Sequence, residues 1–281
     1  MRKLTPILDK LTFAEGPRWR DGRLWFSDFY AYEVIAVDIE GNRETICTVP
    51  EQPSGLGWTP DGTLLIVSMR DQKLLRLVDG KLEEHADLSA HANYWCNDMV
   101  VDAEGGAYVG NFGFNRHAGE EPRATTLVRV SPSGEASVAA DGLWFPNGTI
   151  ITPDGKTLVV GETRAARLTA FDIGADGSLS NRRVFAETET LYPDGICLDA
   201  EGAIWVTDPR NKEIVRFDKT GAITETIKLE GGYGPYACML GGDDLKTLFV
   251  CTNLDSGPEI AASRTGRIEI TRVDVPGAGL P

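Results

Sequence analysis

The stretch Glu15-Gly16-Pro17-Arg18-Trp19, turned by Asp21-Gly22 and answered by Leu24-Trp25-Phe26-Ser27-Asp28, holds the unit from which the chain is built. A polar residue opens a short strand, an acidic-Gly pair turns it, and an apolar, aromatic strand returns. Glycine tolerates the positive φ of a tight hairpin turn, so such a pair between β-rich runs marks a hairpin. The unit recurs at Ser54-Gly55-Leu56 with Asp61-Gly62, and at Asn97-Asp98-Met99 with Glu104-Gly105. It appears again at Asn147-Gly148-Thr149 with Asp154-Gly155, and at Asp194-Gly195-Ile196 with Glu201-Gly202. A degenerate sixth copy starts at Tyr236-Ala237-Cys238 and turns near Asp243-Asp244.

The copies start roughly 40–50 residues apart, the length of one four-stranded propeller blade. Third strands follow in several copies, as in Val34–Val37 before Glu40-Gly41 and Leu74–Leu77 before Asp79-Gly80. The fold read from this is all-β: a six-bladed β-propeller of four-stranded antiparallel blades, residues 1–281 forming a single domain. Residues 5–13 precede the first copy and read as a strand that completes the sixth blade, closing the ring. A solenoid would leave two unpaired ends, and no helical period is sustained.

Composition agrees. Thirty-one Gly and 15 Pro are spread along 281 residues, many turns for the length, with 42% hydrophobic and 25% charged residues. A formal net charge of −14 repels phosphate backbones and anionic lipid, which argues against nucleic-acid and membrane partners and for a small-molecule substrate. An anionic ligand would need local positive charge, from a metal or a few arginines. Residues 1–10 carry two basic residues and no apolar run, unlike a secretory signal, and no apolar stretch approaches a membrane span. Five cysteines, an odd number without CxxC spacing, read as free thiols of a cytoplasmic protein.

In a propeller the inner strand of each blade lines the central channel. One repeat position should therefore converge on the axis: Glu15, Ser54, Asn97, Asn147, Asp194 and Tyr236. Asn or Asp before Gly is also ordinary turn chemistry, but that does not account for Glu15. Carboxylates facing each other across a narrow channel repel unless a cation sits between them. Glu15, Asn147 and Asp194 together offer an all-oxygen donor set suited to one divalent metal ion, Ca²⁺ first, with Mg²⁺, Mn²⁺, Zn²⁺ or Fe²⁺ as alternatives.

Glu-Gly-Pro at 15–17, Asn-Asp at 97–98, Pro-Asn-Gly at 146–148 and Pro-Asp-Gly at 193–195 resemble, in order and spacing, the motifs of the senescence marker protein/gluconolactonase (regucalcin-like) family. The resemblance implies metal ligation by Glu15, Asn147 and Asp194, substrate or water contact by Asn97, and hydrolytic lactone opening. A related branch hydrolyses organophosphates. Asp194 is then the candidate catalytic base or nucleophile, activated water being the favoured route, and Asn97 orients substrate or donates to the oxyanion.

The chain departs from the sugar-lactone members at Trp95, where they carry an arginine. An indole in that place removes donors and adds an apolar wall. Phe112, Phe145 and Tyr192 extend the theme, so the expected substrate is a lactone, or similar ester-like carbonyl compound, less polar than a free sugar lactone. Arg116 and His117 in the loop after Asn111 offer a substrate anchor or proton donor, or are solvated. Three competing readings stand beside this one: a phosphotriesterase on the same ligands, a non-catalytic small-molecule-binding propeller, and a metal-free propeller enzyme with a catalytic Glu.

Overall fold

The computed structural model describes residues 2–187 and 189–278. It is all-β, with six sheets of four antiparallel strands arranged as a six-bladed propeller. Blade one runs Ala14–Arg20, Arg23–Asp28, Glu33–Val37 and Arg43–Thr48 from the axis outward. Inner strands of the next four blades are Pro53–Trp58, Cys96–Val101, Pro146–Ile151 and Ile196–Leu198. Blade six takes Gly234–Gly241, Thr247–Asn253 and Gly266–Arg272 from the C-terminal part and Thr5–Leu11 from the N-terminal end. The expected ring closure is thus present, with Thr5 opposite Ile270 and Leu11 opposite Gly266. Among the described residues the only helical pieces are three short 3-10 turns, and no helix is long and apolar enough to cross a membrane.

Each sheet buries both faces against its neighbours, which is why most second strands read as continuous apolar runs rather than alternating ones. Leu64–Ser68 and Ile204–Asp208 are buried throughout. Trp205 sits between blades five and six, and Trp25 meets Trp58 of blade two edge-on at 5.5 Å, so both tryptophans pack between blades as their strand positions predict.

Two devices shape the inner strands. First, pairing with the second strand slips in five blades at the repeat position, between Glu15 and Arg18, Pro53 and Leu56, Cys96 and Met99, Pro146 and Thr149, and Pro235 and Ala237. A bulge bends its strand and re-aims the side chain it carries. Secondly, the residue after the repeat position is where neighbouring inner strands touch. A Cβ on Gly148 would lie 2.7 Å from the Asp194 carbonyl oxygen and 2.8 Å from the Gly195 carbonyl carbon; one on Gly195 would lie 2.5 Å from Ala237 Cα. Glycine there permits backbone-to-backbone approach, and Gly148 N donates to Asp194 O at 3.1 Å. The turn reading of Asn147-Gly148 is replaced by this one: the pair lies inside the inner strand.

Candidate functional site

In blades one, three, four and six the residues at these bulges line one cavity of about 450 Å³ at one end of the channel, and in blade five Asp194, ahead of the first paired residue, joins them. Glu15, Asn97, Asn147, Asp194 and Tyr236 all line it, together with Trp95, Phe112, Phe145 and Arg116. Asn97 Nδ2 donates to Asn147 Oδ1 at 3.1 Å, and Asn147 Nδ2 donates to Asp194 Oδ1 and, at 3.2 Å, to Thr163 Oγ1. Glu15 Oε2 accepts from Gly16 N at 3.1 Å. Donors from blades one, three, four and five therefore meet.

Burial pushes the Glu15 carboxyl well above the usual range, with Asp194 and then Asp98 adding repulsion. Burial likewise pushes Asp194 up to about 7, against the pull of the Arg116 charge and the Asn147 hydrogen bond. Two carboxylates in a desolvated cavity resist ionising together, and a cation between them removes the conflict. The donors present, two carboxylates and an amide oxygen, suit a hard divalent ion. Among the described residues no three His, Cys, Asp or Glu side chains group as a metal cluster.

Next to the donors on the inner strands, Arg18 and Asp98 are both under a tenth exposed and paired at 2.8 Å. Arg18 Nη1 also donates to Pro17 O at 2.8 Å, and Asp98 accepts from Met99 N at 2.9 Å. The pair joins blade one to blade three, and Arg18 also lines a second cavity with Trp19 and Trp58.

The walls are aromatic. Phe112 stacks on Phe145 at 4.9 Å and 7°, Phe13 meets Tyr236 edge-on at 4.7 Å, and Phe114 supports Phe145 from the core. Phe145 holds a left-handed φ of 59°. Its loop is fastened by Glu162, which is fully buried and accepts from Trp144 N at 2.8 Å, Arg167 Nε at 2.9 Å and Thr169 Oγ1 at 2.5 Å.

Two sequence expectations are corrected. Tyr192 does not line the cavity. Pairing in blade five begins only at Ile196, so strand alternation does not carry back to it. Its N–H is taken by Asp208 Oδ2 at 2.9 Å, and its ring lies under Arg210 at 4.2 Å. Ser54 is buried outside the cavity, its carbonyl accepting from Ser27 Oγ at 2.6 Å, and Gln52 takes the blade-two place in the lining. Asn253 bonds Thr12 O at 2.7 Å. The His117 side chain lies outside the described residues. Missed by the sequence reading were Gln52 and the loop residues Tyr30, Met69, Arg70 and Ser256, which follow no repeat position.

Comparison with known proteins accords with this architecture. The SMP-30/Gluconolactonase/LRE-like region matches residues 13–253. Regucalcin of Gallus gallus is 30% identical over 281 residues, covering 96% of this chain and 94% of its own. A calcium-binding protein, regucalcin, from Agrobacterium tumefaciens superposes with TM-score 0.80 at 24% identity, over 99% of this chain and 94% of the other. A gluconolactonase from Xanthomonas campestris gives 0.78 at 23%, over 98% and 90%. At these identities the two structures bear on fold alone. The family match spans most of the chain, and on it the protein belongs to the SMP-30/gluconolactonase/LRE-like family.

Proposed function

We propose that this protein is a metal-dependent hydrolase that opens a lactone with a substantial apolar or aromatic part. The observation that carries the reading is the meeting of Glu15, Asn147 and Asp194 in one aromatic-walled cavity of a family that includes gluconolactonases. Glu15, Asn147 and Asp194 would hold one divalent cation, Ca²⁺ being the best match to hard oxygen donors. When bound, such an ion supplies Lewis acidity towards a carbonyl and eases deprotonation of water.

The chain's own residues do the rest. Asp194, which lines the cavity beside Asn147, accepts the proton of the attacking water. The C–O ring bond breaks as the new C–OH bond forms, and the proton passes to the departing ring oxygen. Asn97, whose amide does not titrate, donates a hydrogen bond to the carbonyl oxygen as charge develops there. Phe112, Phe145 and Trp95 hold the apolar part of the substrate and keep bulk water out.

Metal content and lactone hydrolysis are measured together on the wild type and Asp194→Ala, with an aromatic lactone, gluconolactone and a phosphotriester as substrates. The expected result is about one metal ion per wild-type chain, faster opening of the aromatic lactone, and loss of both metal and turnover in the variant. Normal turnover in Asp194→Ala defeats the reading. Preference for the phosphotriester selects the organophosphate alternative instead.

A further inference from the structure

Three arginines line the cavity: Arg70, Arg116 and Arg164. Most arginines elsewhere pair with acids, as in Arg129 with Asp102 at 2.8 Å, Arg167 with Glu162 at 2.9 Å and Arg216 with Asp199 at 2.7 Å, although Arg210 and Arg267 lie over aromatic rings instead. The chain has 42 acidic residues against 28 Lys and Arg, so partners are plentiful. Yet among the described residues none of the three cavity arginines has a carboxylate within ion-pair distance.

Their positions are fixed by neutral contacts instead. Arg70 Nε donates to Gln52 Oε1 at 2.8 Å, and its guanidinium lies over the rings of Tyr32 at 5.5 Å and Trp95 at 5.2 Å. Arg116 Nη2 donates to Ser256 Oγ at 2.9 Å, and the Ser256 carbonyl accepts from Tyr30 OH at 2.7 Å. Arg164 lies over Phe114 at 5.9 Å, exposed at the rim. Arg116, tied to Tyr30 through Ser256, and Arg70, over Tyr32 and Trp95, are thus held by neighbours that belong to the cavity lining or flank it.

The charge balance follows. Three guanidinium groups and two carboxylates, Glu15 and Asp194, line the cavity. A dication on those carboxylates would cancel their charge and leave the guanidinium groups facing the open cavity. Guanidinium groups without carboxylate partners are complementary to an anion, and their planar forks match a carboxylate.

Resting on the lactone-opening reading, we propose that the substrate is an aromatic lactone bearing a separate carboxylate, with its ring on the Trp95–Phe112–Phe145 wall and its carboxylate held by Arg70 and Arg116. The lactone carbonyl then faces Asn97 and Asp194 from the end of the molecule opposite the anchor. Arg164 attracts the anion at the rim.

The test compares phthalide-5-carboxylate with its methyl ester, the same ring with and without the charge. In the wild type the acid is expected to exceed the ester in kcat/KM by about tenfold or more. That ratio collapses towards unity in Arg116→Gln and in Arg70→Gln. It is retained in Arg210→Gln, which removes an arginine outside the cavity, and largely retained in Arg116→Lys. If the ester is opened as fast as the acid, or the ratio survives both glutamine variants, the anion anchor is wrong while lactone opening stands. If neither compound is opened, calorimetry of phthalide-5-carboxylate decides. Binding that weakens about tenfold in Arg116→Gln keeps the anion site and removes the hydrolase reading; no binding removes both.

Discussion

Gly148→Ala puts one methyl group where blades four and five touch. The added Cβ falls 2.7 Å from the Asp194 carbonyl oxygen and 2.8 Å from the Gly195 carbonyl carbon, and closer still to Ile196 N. All three are backbone atoms, so no side chain can swing aside, and the two strands must part by roughly 1 Å to reach ordinary contact. Overpacking of this kind costs about 1–3 kcal/mol. With an unfolding entropy of about 2.1 cal/mol/K per residue over 281 residues, Tm falls by roughly 2–5 °C. Asn147 and Asp194 flank the point of parting, and donor sets tolerate only about 0.5 Å of displacement, so metal affinity should fall by tenfold or more. Calorimetric melting and metal titration read the two effects, with Gly155→Ala as the comparison. A Cβ at Gly155 meets nothing within 4 Å, although its φ of 68° adds local strain. That variant should lose some stability and no metal affinity. If Gly148→Ala melts within about 1 °C of the wild type and binds metal equally well, the close approach does not set the site's geometry.

Three further outcomes are expected. Ca²⁺ at about 100 times its Kd should stabilise the chelator-treated protein by about 2.7 kcal/mol, raising Tm by roughly 4–5 °C, and the gain should vanish in Glu15→Gln; an equal gain in the variant places the ion elsewhere. Arg18→Met strands Asp98 without its partner and should cost about 3–5 kcal/mol by denaturant melting, whereas Arg18→Met with Asp98→Leu should recover most of it; additive losses would contradict a coupled pair. For Glu162, burial opposes ionisation, but bonds from Arg167, Thr169 and Trp144 N outweigh it and hold the carboxyl below the usual range. Its stabilising effect is therefore present above the ordinary carboxylate pKa and lost as pH falls through the lowered one. The stability gap between wild type and Glu162→Gln should be full at pH near 6 and close below about 4.5; a gap independent of pH refutes the ionised role.

The fold was legible because its signal is repeated. Each acidic-Gly turn is weak alone, but six copies at blade spacing leave one architecture, and the strand at residues 5–11 fills the place the ring leaves open. Glu15, Asn147 and Asp194 were legible for the same reason, since a periodic position on an inner strand maps to a point near the axis. What failed was local. Tyr192 precedes the first paired residue of blade five, so counting by twos does not reach it, and Ser54 yields to Gln52, which has a left-handed φ of 75°. Arg70, Tyr30 and Ser256 come from loops between strands, where no period fixes direction. The glycines after the repeat position looked like turn residues because a turn and a close backbone approach demand the same residue.

Blade six is stitched from both ends of the chain, and its last strand leads directly into the candidate site. Thr12 and Phe13, between the closing strand and Glu15, give their N–H groups to the buried Asp28 at 3.0 and 2.7 Å, and Asn253 grips the Thr12 carbonyl at 2.7 Å. The stitching strand is outermost and irregular in register, so it is the natural place for the wheel to begin to fray. Fraying there tugs on Glu15 two residues past the Thr12–Phe13 anchor. On the proposed cation site, release would be geared to this strand: the rate at which amides 5–11 exchange with solvent should set the pace at which a captured cation escapes.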